Sequence, residues 1–495
     1  MITSREISPY LLALPASCLL LIYALTNGVP FVYPDTFTYF AYGETALQKV
    51  ASVLANIWSS SASSADIPIG TSVLADASPL ASIGSPQQEN WTPRSGRSVY
   101  YGVLAAFPGP FAAPWNGIIL QAYCSALAVA FAWRLALGSV SMGYLATMAG
   151  LGLASTFGIF ASTAMPDVWV AIGILSIAII VAAQGRMGRI DSAVLWGLVL
   201  YAALTHSSHL LVLVAFVGLF AVMRLTAIMA ISWKMIGTLA AVLVLSVGLD
   251  AGQRMVMERA AGNPPLGMPF LTAHLVDGGP GMTFIHDACP DAGFAVCEGA
   301  DALPAEWRDF IFKFSSPESY KWRLVDEDAS FALATLRHDP LGVIGLILRD
   351  GARQVIMIGL ETTPIRAAIG ESAAVATSPG ALEQRVREGR LYEAGGLYHR
   401  LSTVNTALVL ASLIALTFVA IQRHFMTSNR EVRPLMVVVI TGIILNAAIC
   451  GMLVSPYDRF QARVAWLIPV LSIIVLAAFL KERHPRSAKI KVKYS

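Results

Sequence analysis

Charge is what this sequence has least of. Asp, Glu, Lys and Arg make up 13% of its 495 residues, about half the ~25% usual in soluble domains, so water is not the main solvent of the chain. The alternating pattern of barrel strands is absent too, while apolar stretches of roughly 17 to 25 residues recur, the length a helix needs to cross a hydrocarbon core. The expected fold class is an all-α polytopic membrane protein. Also missing are a Walker loop, a convincing dinucleotide fingerprint and a solenoid-period repeat, so nucleotide-driven chemistry has no support and nothing calls for a nucleic-acid partner. Ionisable residues are nearly absent from the apolar stretches, which disfavours an ion-coupled transporter.

What is present is about ten apolar stretches, at residues 10–26, 114–137, 142–163, 168–183, 192–204, 210–223, 235–249, 403–421, 434–454 and 464–480. Residues 99–113, broken by Pro108 and Pro110, read as a re-entrant or interfacial piece. The formal charge of +3 informs little, because insertion sorts charges between two sides. Arg5, Arg186, Arg189, Arg224, Lys234, Arg423, Arg430, Arg433 and the run from Lys481 to Lys493 all fall on one side, cytoplasmic by the positive-inside rule. Both termini are then cytoplasmic, and the first apolar run is an anchor rather than a cleaved signal. Three regions follow: 1–250, a membrane module with a first outer loop at 27–113; 251–401, an outer region with interfacial helices; and 402–495, further spans and a basic tail.

The outer side gathers the polar chemistry. Residues 59–95, rich in Ser, Ala, Pro and Gly, read as a mobile loop, and 37–58 as a helix along the membrane surface. Amphipathic helices are expected at 304–314 and 320–337, and an interfacial one at 341–360. Cys18, Cys124 and Cys450 lie in apolar spans as small hydrophobes. Cys289 and Cys297, in "HDACPDAGFAVCEG", flank a Pro and a Gly that let the chain turn back, and a disulfide is expected there; the neighbouring His286 and Asp287 give no recognised metal spacing.

Two Pro-Asp pairs mark outer helix ends, at Asp35 and Asp167. Either carboxylate suits capping of a following helix, and either suits proton transfer. His206 and His209 in "THSSHLL" share a face if the turn between their spans stays helical. "SGRSVYYG" offers Arg97 and Tyr100, and "SPYDRFQAR" offers Asp458, Arg459 and Arg463 at the mouth of the last hairpin. Arginine recognises phosphate bidentately; the alternative is an Asp458–Arg459 or Asp458–Arg463 pair that only anchors the hairpin. One reaction uses carboxylates and arginines at a lipid boundary together: sugar transfer from a polyprenyl-phosphate carrier, with a general base for the attacking hydroxyl and positive groups for the departing phosphate.

"NGVPFVYPDTFTYF", the second Pro-Asp at Asp167, the many spans and "SPYDRFQAR" resemble the GT-C superfamily of polytopic glycosyltransferases over about two-thirds of the chain. The resemblance implies Asp35 as the catalytic acidic residue, Asp167 as a secondary one, and Arg459 or Arg463 as the phosphate contact. It implies an inverting enzyme whose partners are a lipid-linked sugar donor, a glycan, lipid or protein acceptor, and membrane lipids. Some members use a divalent cation, but the chain lacks an adjacent Asp-Glu or Asp-Asp pair after its first span, which argues against a metal-dependent version. The big insert also precedes the last spans, and no large soluble C-terminal domain follows. "GRS-YYG" and the cysteine-bearing loop are similar to a set of bacterial membrane proteins, which implies the inner (plasma) membrane. Competing readings are a polysaccharide polymerase or ligase, a transporter of lipid-linked saccharides, and a non-catalytic assembly subunit.

Overall fold

The computed structural model describes residues 8–62, 93–107, 114–304, 306–315, 318–360, 389–391 and 395–483. The expected mobile loop therefore lies mostly outside the described residues, as do Pro108, Pro110 and the basic tail beyond Arg483. The protein is all-helical, with no strand among the described residues.

In chain order come α1 (Pro9–Leu20), α2 (Ile22–Asn27), α3 (Pro34–Ala62), α4 (Val99–Ala105), α5 (Trp115–Leu137), α6 (Met142–Ala154) and α7 (Thr156–Ala161). Next are α8 (Asp167–Ala183), α9 (Arg189–Thr205), α10 (Ser207–Leu225) and α11 (Trp233–Ala261). A second helical module follows with α12 (Phe270–Gly278), α13 (Pro280–Ala288), α14 (Trp307–Asp309), α15 (Glu318–His338) and α16 (Pro340–Ile356). The chain closes with α17 (Gly395–Ala420), α18 (Arg423–Ser428), α19 (Val432–Leu453), α20 (Asp458–Ala465) and α21 (Leu467–Arg483).

Among the described residues, six helices are long and apolar enough to cross a membrane: Trp115–Leu137, Ser207–Leu225, Trp233–Ala261, Gly396–Ala420, Val432–Leu453 and Asp458–Arg483. A seventh is reached only if Ser319–His338 and Pro340–Ile356, bent by 113°, form one span. These helices mark a multi-pass membrane protein, but the ten-span count is not reached. Pro9–Leu20, Met142–Ala154 and Asp167–Ala183 stop short; the first two end at breaks at Leu21 and Ser155 inside runs that look continuous, while the third is 17 residues without a break. At Ser155 the backbone turns extended, its hydroxyl accepts from Phe157 N–H at 3.2 Å, and Asn405 accepts from Thr156 N–H at 3.1 Å. Those side chains replace lost intrahelical bonds, which is how a broken helix survives where protein surrounds it. Burial separates core from periphery: 67% of the apolar window in Trp115–Leu137 is buried, against 17% in Trp233–Ala261, so the latter presents its flanks to lipid.

The bundle holds one large apolar core, in which Phe157 stacks on Trp466 with ring centres 3.7 Å apart. A second, smaller core belongs to the module of α12 to α16 and is built on Phe284, Phe294 and Phe331. The carboxylate of Asp328 accepts from Thr272 N–H (2.7 Å) and Leu271 N–H (3.3 Å), so a distant residue caps α12. Of the amphipathic helix expected at 304–314, the described residues Trp307–Phe314 are helical but not regular α-helix throughout. A three-residue turn runs into a π-helical turn, Phe310–Phe314, which buries the adjacent Phe310 and Ile311 together. The helices expected at 320–337 and 341–360 are present as α15 and α16.

The Cys289–Cys297 disulfide is formed, with Cα atoms 5.4 Å apart, tying the end of α13 to a 3₁₀ turn at Ala295–Ala302. The loop it closes is short, spanning a sequence separation of eight, so chain entropy gives about 2–3 kcal/mol. Replacing both cysteines by serine should lower the melting temperature of this module accordingly. Unchanged thermal unfolding would mean that the bridge does not hold it.

Candidate functional site

Backbone pairing brings the two Pro-Asp turns together. Residues 29–33 run extended beside 162–164: Phe31 N–H donates to Ser162 O (3.0 Å), and Ala164 N–H donates to Phe31 O (2.8 Å). Gln121, fully buried, donates its amide to Thr163 O (2.8 Å) and Ala161 O (3.1 Å), holding this frame from α5. Thr36 locks the other side, its hydroxyl donating to Ala164 O (3.0 Å) and accepting from Tyr33 N–H (2.9 Å). Asp35 and Asp167 thus start neighbouring helices, each in a first turn, where the helix dipole favours a carboxylate.

Arg97 arrives from a different segment. Pro93 and Ser95 pair with Leu266 (Leu266 N–H to Pro93 O 2.7 Å, Ser95 N–H to Leu266 O 2.8 Å), and Ser98 caps α4 by accepting from Tyr101 N–H at 3.2 Å. Helices α3 and α4 then cross where both carry glycine. A Cβ on Gly102 would lie 2.4 Å from Tyr39 O, and one on Gly43 would lie 2.0 Å from Gly102 O. This crossing sets Arg97 Nη2 at 2.7 Å from Asp35 Oδ1. Gly102→Ala is expected to push α4 off α3 and cost roughly 1–3 kcal/mol, read as a lower melting temperature in detergent. Gly150→Ala, with nothing within 4 Å of its Cβ, is the control that should scarcely move it.

The last hairpin supplies the other guanidinium groups. Arg459 Nη2 donates to Asp167 Oδ2 at 2.6 Å, and its guanidinium lies 4.0 Å from the centre of the Tyr33 ring. Arg463 approaches Asp167 at 3.6 Å and donates to Asn446 Oδ1 (2.9 Å) and Ser208 Oγ (3.2 Å). Asp167 is therefore the carboxylate that holds both arginines, in place of the Asp458 pairing weighed from sequence; Asp458 instead accepts from Arg459 N–H at 2.6 Å. Asp167 is the first residue of α8, directly after Pro166, and its carboxylate is engaged by Arg459 and Arg463. The two carboxylates differ in access: the Asp167 side chain is 5% exposed and that of Asp35 is 35%. Burial alone would raise the Asp35 carboxyl, but Arg97 and Arg459 overcome it and hold the group below the usual carboxylate range.

His206 and His209 come together without the helical turn they were expected to share. The backbone at His206 is extended, its ring accepts from Ser208 N–H (3.1 Å) to cap α10, and the two rings lie 5.4 Å apart. His209 Nδ1 pairs with Thr205 Oγ1 (2.9 Å), leaving Nε2 buried without a partner among the described residues. Tyr100 is not brought to the cluster: its hydroxyl donates to Leu249 O at 3.0 Å, on α11. Its neighbour Tyr101 faces Tyr39 instead, 5.1 Å between ring centres. Tyr33, Tyr39, Ser208 and Asn446 complete the site and were not singled out from sequence. Tyr33 and Tyr39 flank a flagged Asp35, and that adjacency was the available signal; nothing marked Asn446 inside its apolar run.

The cluster carries three arginines and two carboxylates. The Nε atoms of Arg97, Arg459 and Arg463 and the hydroxyl of Tyr39 are all buried without a hydrogen-bond partner among the described residues. Buried donors left this way are costly and point to a ligand or water that satisfies them. Such a set suits an anion with several oxygens. It does not suit a divalent cation: both carboxylates are already engaged by arginine, and among the described residues no three His, Cys, Asp or Glu are grouped to hold a metal. Comparison with protein-family models, with characterised proteins and with solved structures finds no match to this chain.

Proposed function

We propose that this chain is a membrane glycosyltransferase of the GT-C type. It would move a sugar from a polyprenyl-phosphate carrier to a glycan, lipid or protein acceptor at the periplasmic face of the inner membrane, with both termini cytoplasmic. The observation that carries the reading is the convergence of Asp35, Arg97, Asp167, Arg459 and Arg463 at one end of the bundle, with surplus positive charge and unpartnered donors. A phosphate linked to a lipid needs that charge beside hydrocarbon, and phosphate oxygens are natural acceptors for guanidinium forks.

In the reaction, the acceptor hydroxyl oxygen bonds to the anomeric carbon while the bond from that carbon to the phosphate oxygen breaks. The hydroxyl proton passes to Asp35, and the electron pair leaves on the lipid phosphate, where Arg459 and its neighbours meet the developing charge. Asp35 is the base because its carboxylate is the more accessible one; Asp167 positions Arg459 and Arg463. Arginine dominance favours a second reading, a polymerase or ligase acting on polyprenyl-linked glycans. The two separate in a transfer assay with purified protein and a radiolabelled polyprenyl-phosphate sugar. The first predicts that Asp35→Asn loses at least as much rate as Arg459→Lys, the second that Arg459→Lys loses far more. Retained activity in both would end both readings.

A further inference from the structure

Beside the charged cluster, where the module of α12 to α16 meets the last hairpin, lies a groove of ≈ 360 Å³, within the size range of small-molecule sites. One wall comes from α12, α14 and α16, and the other is Ser455, Pro456 and Tyr457. The walls are fastened to each other: Gln354 Nε2 donates to Tyr457 O (2.9 Å), and Tyr457 N–H donates to Gln354 Oε1 (2.8 Å). Ser455 Oγ adds a bond to Asp277 at 3.3 Å. The groove is thus a fixed shape, and Tyr457 stands two residues before Arg459, which reaches into the cluster.

Its lining differs from that of the cluster. Three carboxylates and three guanidinium groups face it, so its formal charge sums to zero, where the cluster carries a surplus of arginine. Two aromatic rings, Trp307 and Tyr457, stand edge to face with centres 6.3 Å apart, and Arg308 lies 5.6 Å from the Tyr457 ring. Balanced ionic groups offer paired donors and acceptors to vicinal hydroxyls without attracting net charge. The half-buried Trp307 ring suits the C–H surface of a pyranose.

We propose that this groove binds a neutral oligosaccharide segment of the acceptor and presents its end to Asp35. The proposal rests on the glycosyltransferase reading, but its test reads binding and not turnover. The full-length protein, in lipid nanodiscs free of glycosidic detergent, is mixed in turn with maltotetraose, cellotetraose and chitotetraose, and saturation-transfer difference NMR is recorded. At least one probe should receive magnetisation. Trp307→Ala should weaken its binding about fivefold or more, and Arg353→Gln, at an exposed side chain, should weaken it without disturbing the fold. No signal from any of the three probes overturns the proposal, as does a signal untouched by both groove variants. Loss of binding with intact transfer chemistry, or the reverse, tells a failure of the groove from a failure of the catalytic reading.

Discussion

Asp35→Asn is expected to lower sugar transfer by about 10²–10⁴-fold, the usual worth of a positioned general base, while expression and insertion persist and the melting temperature falls modestly. The amide still offers an oxygen to Arg97, and the Asp35 side chain is 35% exposed, so the structural loss is small. The pH profile supplies an independent reading. Because Arg97 and Arg459 hold the Asp35 carboxyl below its ordinary range despite burial, the basic form persists to lower pH than in a free aspartate, about 3.9. The acidic limb of the rate profile should therefore lie below that value. The stability sign follows the same shift. A depressed folded pKa gives a contribution that is complete above the unfolded pKa and disappears as pH falls through the folded one. Asp35→Asn should remove that acid-side dependence from thermal melts. Undiminished turnover by a folded Asp35→Asn would take the base out of the mechanism.

Asp167→Ala should do a different kind of damage. Asp167 is the counter-ion of both Arg459 and Arg463, and the side chains of Asp167 and Arg463 are at most 5% exposed. Removing it leaves two guanidinium groups buried without compensation, and breaking such a pair costs about 3–5 kcal/mol. The expected result is a sharply lower yield and melting temperature, not merely a slower enzyme. A double-mutant cycle checks the cause: adding Arg463→Met to Asp167→Asn should restore part of the loss, with a coupling of about 0.5–3 kcal/mol. Strict additivity of the two changes would mean that the charges do not act on each other.

Much of this site was legible in the sequence because its charged residues sit at the ends of long apolar runs that hold almost none. Asp35, Asp167, Arg97, Arg459 and Arg463 stood out against apolar surroundings, and Cys289 and Cys297 were readable as a pair from the turn between them. Adjacent residues on a helix point about 100° apart, and only the Gly43–Gly102 crossing decides which of Tyr100 and Tyr101 faces Tyr39. Asn446 and Gln121 were hidden because a polar residue inside an apolar run carries no local sign of its partner. Among the described residues, six helices rather than ten are long and apolar enough to cross, in part for a related reason. Hydropathy does not register the break at Ser155, whose bonds come partly from Asn405, far along the chain.

The separation of the two halves of the ion pair has a consequence for biosynthesis. Asp167 and Arg459 are 292 residues apart, so at roughly 5–20 residues per second the ribosome needs on the order of 15–60 s between them. Throughout that interval the paired turns at Phe31 and Thr163 are already made, yet the acid they present has no guanidinium. Nascent chains halted before Ser455 should be recognised as unfinished and degraded, which makes the final hairpin a checkpoint on whether the molecule is released from quality control.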